Sequence, residues 1–141
     1  MNSISGTIET TAPATAGSKD WTALVGRMGL ALIFVLSGLT KLTSMEGTMG
    51  YIGSVGLPFP AVAFAAAVVI EIAGGIALVV GFRLRAVATL LAVFSLITAF
   101  AFHANLADQN QFIHFLKNIA MAGGLLQVVA FGGGQLVAGR K

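Results

Sequence analysis

Four apolar segments, each about twenty residues long, dominate the pattern of hydrophobic and polar positions along the chain. They cover residues 22–42, 61–81, 86–104 and 112–133. At a rise of about 1.5 Å per residue, a helix of this length crosses the ~30 Å hydrocarbon core of a bilayer. None of the segments has the polar outer face that a helix of a soluble bundle needs. The pattern therefore predicts an all-α, membrane-embedded antiparallel four-helix bundle.

The connector between the first two spans, residues 43–60, has a helical pattern of its own. Met45, Met49, Ile52 and Val55 recur at helical spacing, and polar residues supply the other side. This predicts a short amphipathic helix that lies in the membrane interface. The other two connections are short turns, as expected for antiparallel neighbours in a bundle.

The two ends of the chain differ from the apolar middle. Residues 1–20 are rich in Ser, Thr, Ala and Gly, which predicts a disordered tail, and they lack the basic start and apolar run of a cleavable signal peptide. Residues 21–134 form the predicted membrane domain, and residues 135–141 form a short basic tail. We therefore expect membrane insertion to depend on the first span.

Basic residues indicate how the bundle sits in the membrane. With four spans, one side carries both termini and the second turn, and this side has all the basic residues that lie clear of the membrane: Lys19, Arg83, Arg85, Arg140 and Lys141. The opposite loops contain Glu46 and Asp108. The positive-inside rule then predicts a multi-pass protein with both termini in the cytoplasm.

Composition narrows the possible chemistry. The chain is 57% hydrophobic and 9% charged, against roughly 25% charged for soluble domains. It has no cysteine, which excludes disulfides, redox-active thiols and thiolate-bound metals, and no metal site is predicted. Its basic residues are scattered, so the net charge of +3 does not indicate nucleic-acid binding. Any redox chemistry must come from a cofactor, a lipid-soluble carrier or a partner protein.

Glu71 is the most unusual position, because it places a carboxylate in the middle of the second span. A charge at that depth costs about 2.5–3.5 kcal/mol and usually has a partner inside the bundle. Counting depth from the span ends puts Arg27 about 7 Å from the level of Glu71, within reach of an arginine side chain. We therefore predict an Arg27–Glu71 ion pair.

Small residues share faces with these charges. Ser37 and Gly38 lie between Arg27 and Lys41 on one face of the first span, and Gly74 and Gly75 lie one turn from Glu71. Such residues let two helix backbones approach closely. The simplest interpretation is that they serve helix packing.

The remaining polar side chains gather toward the outer leaflet in the predicted orientation, and they are Lys41, His103, His114, Lys117 and Asn118. We predict that they line a pocket for an anionic or carbonyl-bearing ligand. A quinone fits this chemistry, because its carbonyl oxygens accept hydrogen bonds and histidines exchange protons near neutral pH. Haem held by the two histidines is chemically sound, but the helix ends leave little apolar chain to enclose it.

Several of these elements resemble the DoxX family of small bacterial inner-membrane proteins. They are Arg27, the Ser37-Gly38-Leu39-Thr40-Lys41 run, Gly56-Leu57-Pro58, Glu71 with Gly74-Gly75, the turn from Gly81 to Arg85, and Leu116-Lys117-Asn118. The resemblance covers about residues 21–134. It implies a four-helix protein of the bacterial inner membrane and an association with quinone-linked or oxidative-stress systems. It implies no settled catalytic residues.

We therefore predict a subunit or accessory protein of a membrane redox system that contacts quinone or quinol, with no covalently bound cofactor, and not a complete enzyme by itself. Its expected partners are the lipid bilayer and either other proteins of a redox complex or further copies of itself. Two alternatives remain open. One is a purely structural scaffold subunit, and the other is a small proton-coupled transporter that uses Glu71.

Overall fold

The structure, a computed structural model, describes residues 15–139 and consists of five helices joined by short connections. They are α1 (Ser18–Thr43), α2 (Met45–Ser54), α3 (Pro60–Val80), α4 (Leu84–Phe102) and α5 (Gln109–Phe131). Helices account for 79% of the described residues, which contain no strand. Four of them, α1, α3, α4 and α5, are long and apolar enough to cross a membrane. The predicted all-α, four-span architecture is confirmed.

The four long helices form a closed ring in which α1 packs on α3, α3 on α4, α4 on α5 and α5 on α1. Contacts between α4 and α5 run in opposite sequence directions: Phe100 meets Phe115 at one level, and Leu84 meets Gly133 at the other end. Neighbours are therefore antiparallel. We call the end with both termini and the α3–α4 turn the terminal end. The opposite end, with α2 and the α4–α5 loop, is the far end.

Tight turns hold the ring together at the terminal end. Gly81 ends α3 in the left-handed region, with φ of +80°, and its N–H donates to the carbonyl of Ala77. Glycine adopts this conformation without strain, which is why it so often follows the last helical residue. Arg83 then precedes α4, also at positive φ. At the far end, the Asp108 carboxylate caps α5 by accepting from the N–H of Gln111.

The apolar core fills the terminal half of the bundle. Its fully buried members include Leu78, Leu91 and Leu125, one from each of three helices, and Ala31 and Phe34 of α1 pack with them. The outer faces of the long helices are also apolar, with exposed side chains such as those of Val25, Val69, Ile97 and Leu126. An apolar outer surface suits contact with lipid. Because the apolar core occupies the terminal half of the interior, the polar residues lie in the far half.

Only parts of the two predicted tails, residues 1–20 and 135–141, lie within the described residues. Residues 18–20 belong to α1, and residues 1–14 lie outside the described part of the chain. At the other end, the segment 132–139 turns back over the bundle, with positive φ at three of its glycines. There the N–H of Gln135 donates to Asp20 (2.7 Å) and that of Ala138 donates to the carbonyl of Val80 (2.9 Å). Arg140 and Lys141 lie outside the described residues.

Candidate functional site

Glu71 lies on α3 and faces α1, with only 5% of its surface exposed. Its Oε1 accepts hydrogen bonds from Lys41 Nζ (2.8 Å) and Ser37 Oγ (3.0 Å). Lys41 and Ser37 are one helical turn apart, and Lys41 Nζ also donates to Ser37 Oγ (2.8 Å). The buried carboxylate is therefore held by a lysine and a hydroxyl from the same helix face.

Glycines at the α1–α3 contact bring these groups together. A Cβ on Gly38 would lie 2.6 Å from Ile72 Cγ1, and one on Gly75 would lie 2.7 Å from Val35 Cγ2. Gly74 makes room in the same way for Leu91 of α4. Close approach at two levels fixes the register of α1 against α3, with Gly38 opposite Glu71. That register puts Lys41 within reach of the carboxylate.

The predicted Arg27–Glu71 ion pair is not formed, because Arg27 lies at the terminal end of the bundle. It is 1% exposed, and its Nη1 donates to the carbonyls of Leu78 and Val79 (both 3.1 Å). Its Nη2 donates to the carbonyl of Leu136 (2.6 Å). The last carbonyls of a helix lack partners within it and carry partial negative charge, so they suit a guanidinium. Arg27 thus caps α3 and holds the C-terminal segment, residues 132–139, against the end of the bundle.

The second carboxylate oxygen of Glu71, Oε2, is buried and has no hydrogen-bond partner among the described residues. Glu71 also belongs to the lining of a small cavity of about 40 Å³ between the helices. The other polar side chains of this cavity come from α1, α4 and α5: Ser37, Ser95, Thr98, Lys117 and Asn118. Ligand pockets for drug-sized molecules are about 300–1,000 Å³, so this interior space does not admit a quinone ring.

The two histidines meet at the far end, across the loop between α4 and α5. The rings of His103 and His114 stack with centroids 5.0 Å apart. His103 Nδ1 lies 2.7 Å from Gln111 Oε1, and His114 Nδ1 lies 3.2 Å from Lys117 Nζ. Which ring nitrogens carry protons depends on the tautomers. The result is a continuous polar cluster on the outer surface of α4 and α5.

Two aromatic pairs lie at the same end of the bundle as this cluster. Phe100 and Phe115 meet edge to face with centroids 5.2 Å apart. Tyr51 of α2 packs on Phe102, with centroids 5.6 Å apart, and its hydroxyl donates to the Phe102 carbonyl (2.9 Å). The histidine cluster therefore borders a surface rich in rings, which can pack against another flat ring.

The five residues predicted to line one pocket are divided between three places. Lys41 forms an ion pair with Glu71, Asn118 lines the small cavity, and the histidines lie at the far-end surface. Lys117 connects the last two, because it lines the cavity and contacts His114. Sequence reasoning missed four polar contributors: Tyr51, Ser95, Thr98 and Gln111. For Ser95 and Thr98 the sequence offered only a spacing of three residues, which puts both on one helix face but does not show what that face contacts.

Comparison with known proteins identifies the family. A family model described as DoxX matches residues 22–104, more than half of the chain. The chain belongs to the DoxX family. This confirms the resemblance seen in the sequence, and the matched region carries Lys41, Glu71 and the glycines between α1 and α3.

Two relatives in Escherichia coli (strain K12) match over most of their length. The chain is 34% identical to "Inner membrane protein YqjF" over 119 residues, which is 82% of this chain and 88% of the relative. It is 33% identical to "Inner membrane protein YphA" over 123 residues, 84% of this chain and 88% of that protein. These matches and the four apolar helices make this DoxX protein an integral membrane protein.

A third relative matches only in part. The chain is 41% identical over 71 residues, about half of each chain, to the Bacillus subtilis (strain 168) protein named "Putative oxidoreductase CatD". No solved structure matches the chain.

Proposed function

We propose that this DoxX protein is a component of a membrane redox system and contacts quinone or quinol at its far end. The observation that carries the proposal is the far-end cluster, where His103, His114 and Lys117 present hydrogen-bonding groups beside two aromatic pairs. Quinone carbonyls accept hydrogen bonds, and a quinone ring packs on aromatic and aliphatic surface. The proposed contact is a surface site open to lipid, since the interior cavity is far too small for a ring.

The chain itself supports an accessory role better than a complete enzyme. Without cysteine it has no thiol to oxidise and no thiolate ligand for an iron–sulfur cluster. Among residues 15–139, no group of three metal-ligating side chains comes together. Electrons would therefore pass between the lipid-soluble quinone and a partner protein in the proposed system. The name of the CatD relative is consistent with this class.

The proposal also places the protein in the bacterial inner membrane with the terminal end in the cytoplasm. Arg83 and Arg85 lie in and directly after the α3–α4 turn, at the terminal end. The names of the two Escherichia coli relatives support the inner membrane. In this orientation the far-end cluster faces the outer leaflet, where a quinone could reach it from the lipid.

A structural role is the second candidate, and the contacts of Arg27 favour it. Arg27 links α1, the end of α3 and the C-terminal segment, and Lys41 with Glu71 links α1 to α3. These contacts stabilise the bundle whether or not any ligand binds. A stable bundle of this kind is sufficient for a scaffold subunit, which binds partner proteins and needs no ligand.

Photolabelling tests the proposed quinone contact. The wild-type protein in nanodiscs is irradiated with a short-chain azidoquinone, and labelled peptides are mapped by mass spectrometry. Label concentrated between residues 98 and 118, and reduced severalfold in His114→Ala, supports the contact. Thr89→Ala, on the lipid-facing surface near the terminal end, is the matched control. Label spread evenly over lipid-facing peptides, or unchanged in His114→Ala, refutes it.

A further inference from the structure

The environment of Glu71 is asymmetric between its two oxygens. Oε1 receives two hydrogen bonds, from Lys41 and Ser37, while Oε2 is buried without a protein partner. A buried carboxylate oxygen left unpaired is costly, so water or an ion commonly satisfies it. The proposed quinone contact does not explain this oxygen, because it lies inside the bundle and the histidines lie on its surface.

The cavity that Glu71 helps to line has the size and polarity of a water site. Its volume of about 40 Å³ exceeds the roughly 10–15 Å³ that one water molecule needs. Ser95, Thr98, Lys117 and Asn118 line it together with Glu71, which gives a water several polar partners. A larger solute does not fit. The cavity therefore suits one or two waters bound among the polar side chains that line it, which include Glu71.

The cavity communicates with one end of the bundle through Lys117. This side chain lines the cavity, and its Nζ lies 3.2 Å from His114 Nδ1 at the far end. His114 stacks on His103, which in turn contacts Gln111. Polar groups thus continue from Glu71 to the far-end surface.

No comparable polar connection leads from Glu71 toward the terminal end within the described residues. Leu78, Leu91 and Leu125 are fully buried there, and Phe34 and Met121 pack with them between Glu71 and Arg27. Arg27 lies beyond this layer, and its Nη groups are held by backbone carbonyls. An apolar layer of packed side chains excludes the water that proton movement requires.

We propose that Glu71 is a proton-binding site that exchanges protons with the far side of the membrane only, through the water cavity and Lys117. In the loading step a cavity water gives a proton to Glu71 Oε2 and takes one from the Lys117 ammonium. Lys117 is then reprotonated through His114 from the far-side solution. One proton leaves that solution and one carboxylic O–H bond forms.

Charged and polar groups face Glu71 from three helices. Lys41 of α1 pairs with Oε1, Lys117 of α5 lies across the cavity, and α4 contributes the hydroxyls of Ser95 and Thr98. No residue of α2 lines the cavity. Two ammonium groups around one carboxylate leave the site cationic when Glu71 takes up its proton. The site goes beyond the proposed quinone contact and does not require it.

Infrared spectroscopy of oriented liposomes tests the sidedness. Liposomes are sorted by whether a C-terminal tag is accessible, which gives two preparations of opposite orientation. External buffer is stepped from neutral to acidic, and the carboxylic C=O band of Glu71 is identified as the one absent in Glu71→Gln. In the first seconds, the band should appear only where the far end faces outward. A band that appears equally fast in both orientations, or in neither, overturns the proposal.

Variants of the connecting groups give an independent readout. Asn118→Leu fills the cavity with apolar volume, and Lys117→Met removes the connecting amine at an exposed position. Each should slow the appearance of the band by at least about tenfold, or about 1.4 kcal/mol in activation free energy. Thr89→Val, away from the cavity, should leave the rate unchanged. Wild-type rates in Lys117→Met would contradict the route even if Asn118→Leu failed to fold.

Discussion

Lys41 Nζ lies 2.8 Å from Glu71 Oε1 across the contact between α1 and α3. The two side chains are unequally covered: that of Lys41 is 26% exposed and that of Glu71 is 6% exposed. This difference matters for any substitution at the pair. A lysine that loses its partner can extend toward the headgroups, whereas a carboxylate that loses its partner stays in the protein interior.

Lys41→Met should therefore destabilise the protein more than Glu71→Gln does. Leaving one member of a buried pair uncompensated costs about 3–5 kcal/mol, and we expect Lys41→Met to approach that range. The double variant Lys41→Met/Glu71→Gln should recover much of the loss. Thermal unfolding in a mild detergent measures all three variants. Strictly additive losses in the double variant would show that the two side chains do not interact.

We expect Arg27→Lys to destabilise the protein, because lysine cannot replace the hydrogen bonds of arginine at this position. A lysine cannot donate to the carbonyls of Leu78, Val79 and Leu136 at once, and each hydrogen bond to a charged group contributes about 1.5–3 kcal/mol. We expect faster proteolysis within residues 132–139 as well as a lower unfolding temperature. Arg83→Lys, at an exposed turn position, is the control and should behave as wild type. If residues 132–139 stayed protected from proteolysis in Arg27→Lys, Arg27 would not be what holds this segment in place.

Gly75→Ala should disturb the α1–α3 contact, because its Cβ would lie 2.7 Å from Val35 Cγ2 and 3.2 Å from the backbone oxygen of Ala31. Overpacking of this kind costs about 1–3 kcal/mol. Gly123→Ala is a matched control on α5, since nothing lies within 4 Å of its added methyl group. There the substitution should be neutral or stabilising by up to about 1 kcal/mol. Equal unfolding temperatures for the two variants would contradict the close approach.

A reporter fused after Lys141 should be active only in the cytoplasm, and one inserted between residues 103 and 108 should be active only outside. The physical basis is the excess of Arg and Lys at the terminal end. Paired phosphatase and fluorescent-protein fusions measure both locations. The reverse pattern would place the histidine cluster at the cytoplasmic leaflet and would reverse the side from which Glu71 takes protons.

The fold could be predicted because long apolar segments leave few alternatives in a membrane. The positions of the turns and of α2 follow from the same pattern, and each predicted span agrees with its helix within four residues at either end. The register between helices could not be predicted in this way. Depth counted from span ends placed Arg27 near Glu71, but Gly38 and Gly75 set a register that brings Lys41 there instead.

The candidate site was predicted in part for the same reason. Charged residues inside spans are conspicuous in a sequence, so Glu71, Lys41 and Lys117 could be singled out. Ser95 and Thr98 could not, because hydroxyls in membrane helices commonly bond to their own helix backbone, and both do so here. Only the packing of α4 shows that they also line the cavity beside Glu71.

Quinone binding at the far end is the central feature of the proposed function. The most direct measurement is mass spectrometry of the lipid-soluble extract from gently purified wild-type protein, with Lys117→Ala and the control Thr89→Ala purified in parallel. We expect quinone at close to one molecule per chain in wild type and Thr89→Ala, and a severalfold loss in Lys117→Ala. Phospholipid without quinone in all three preparations would contradict the proposal and favour the scaffold role.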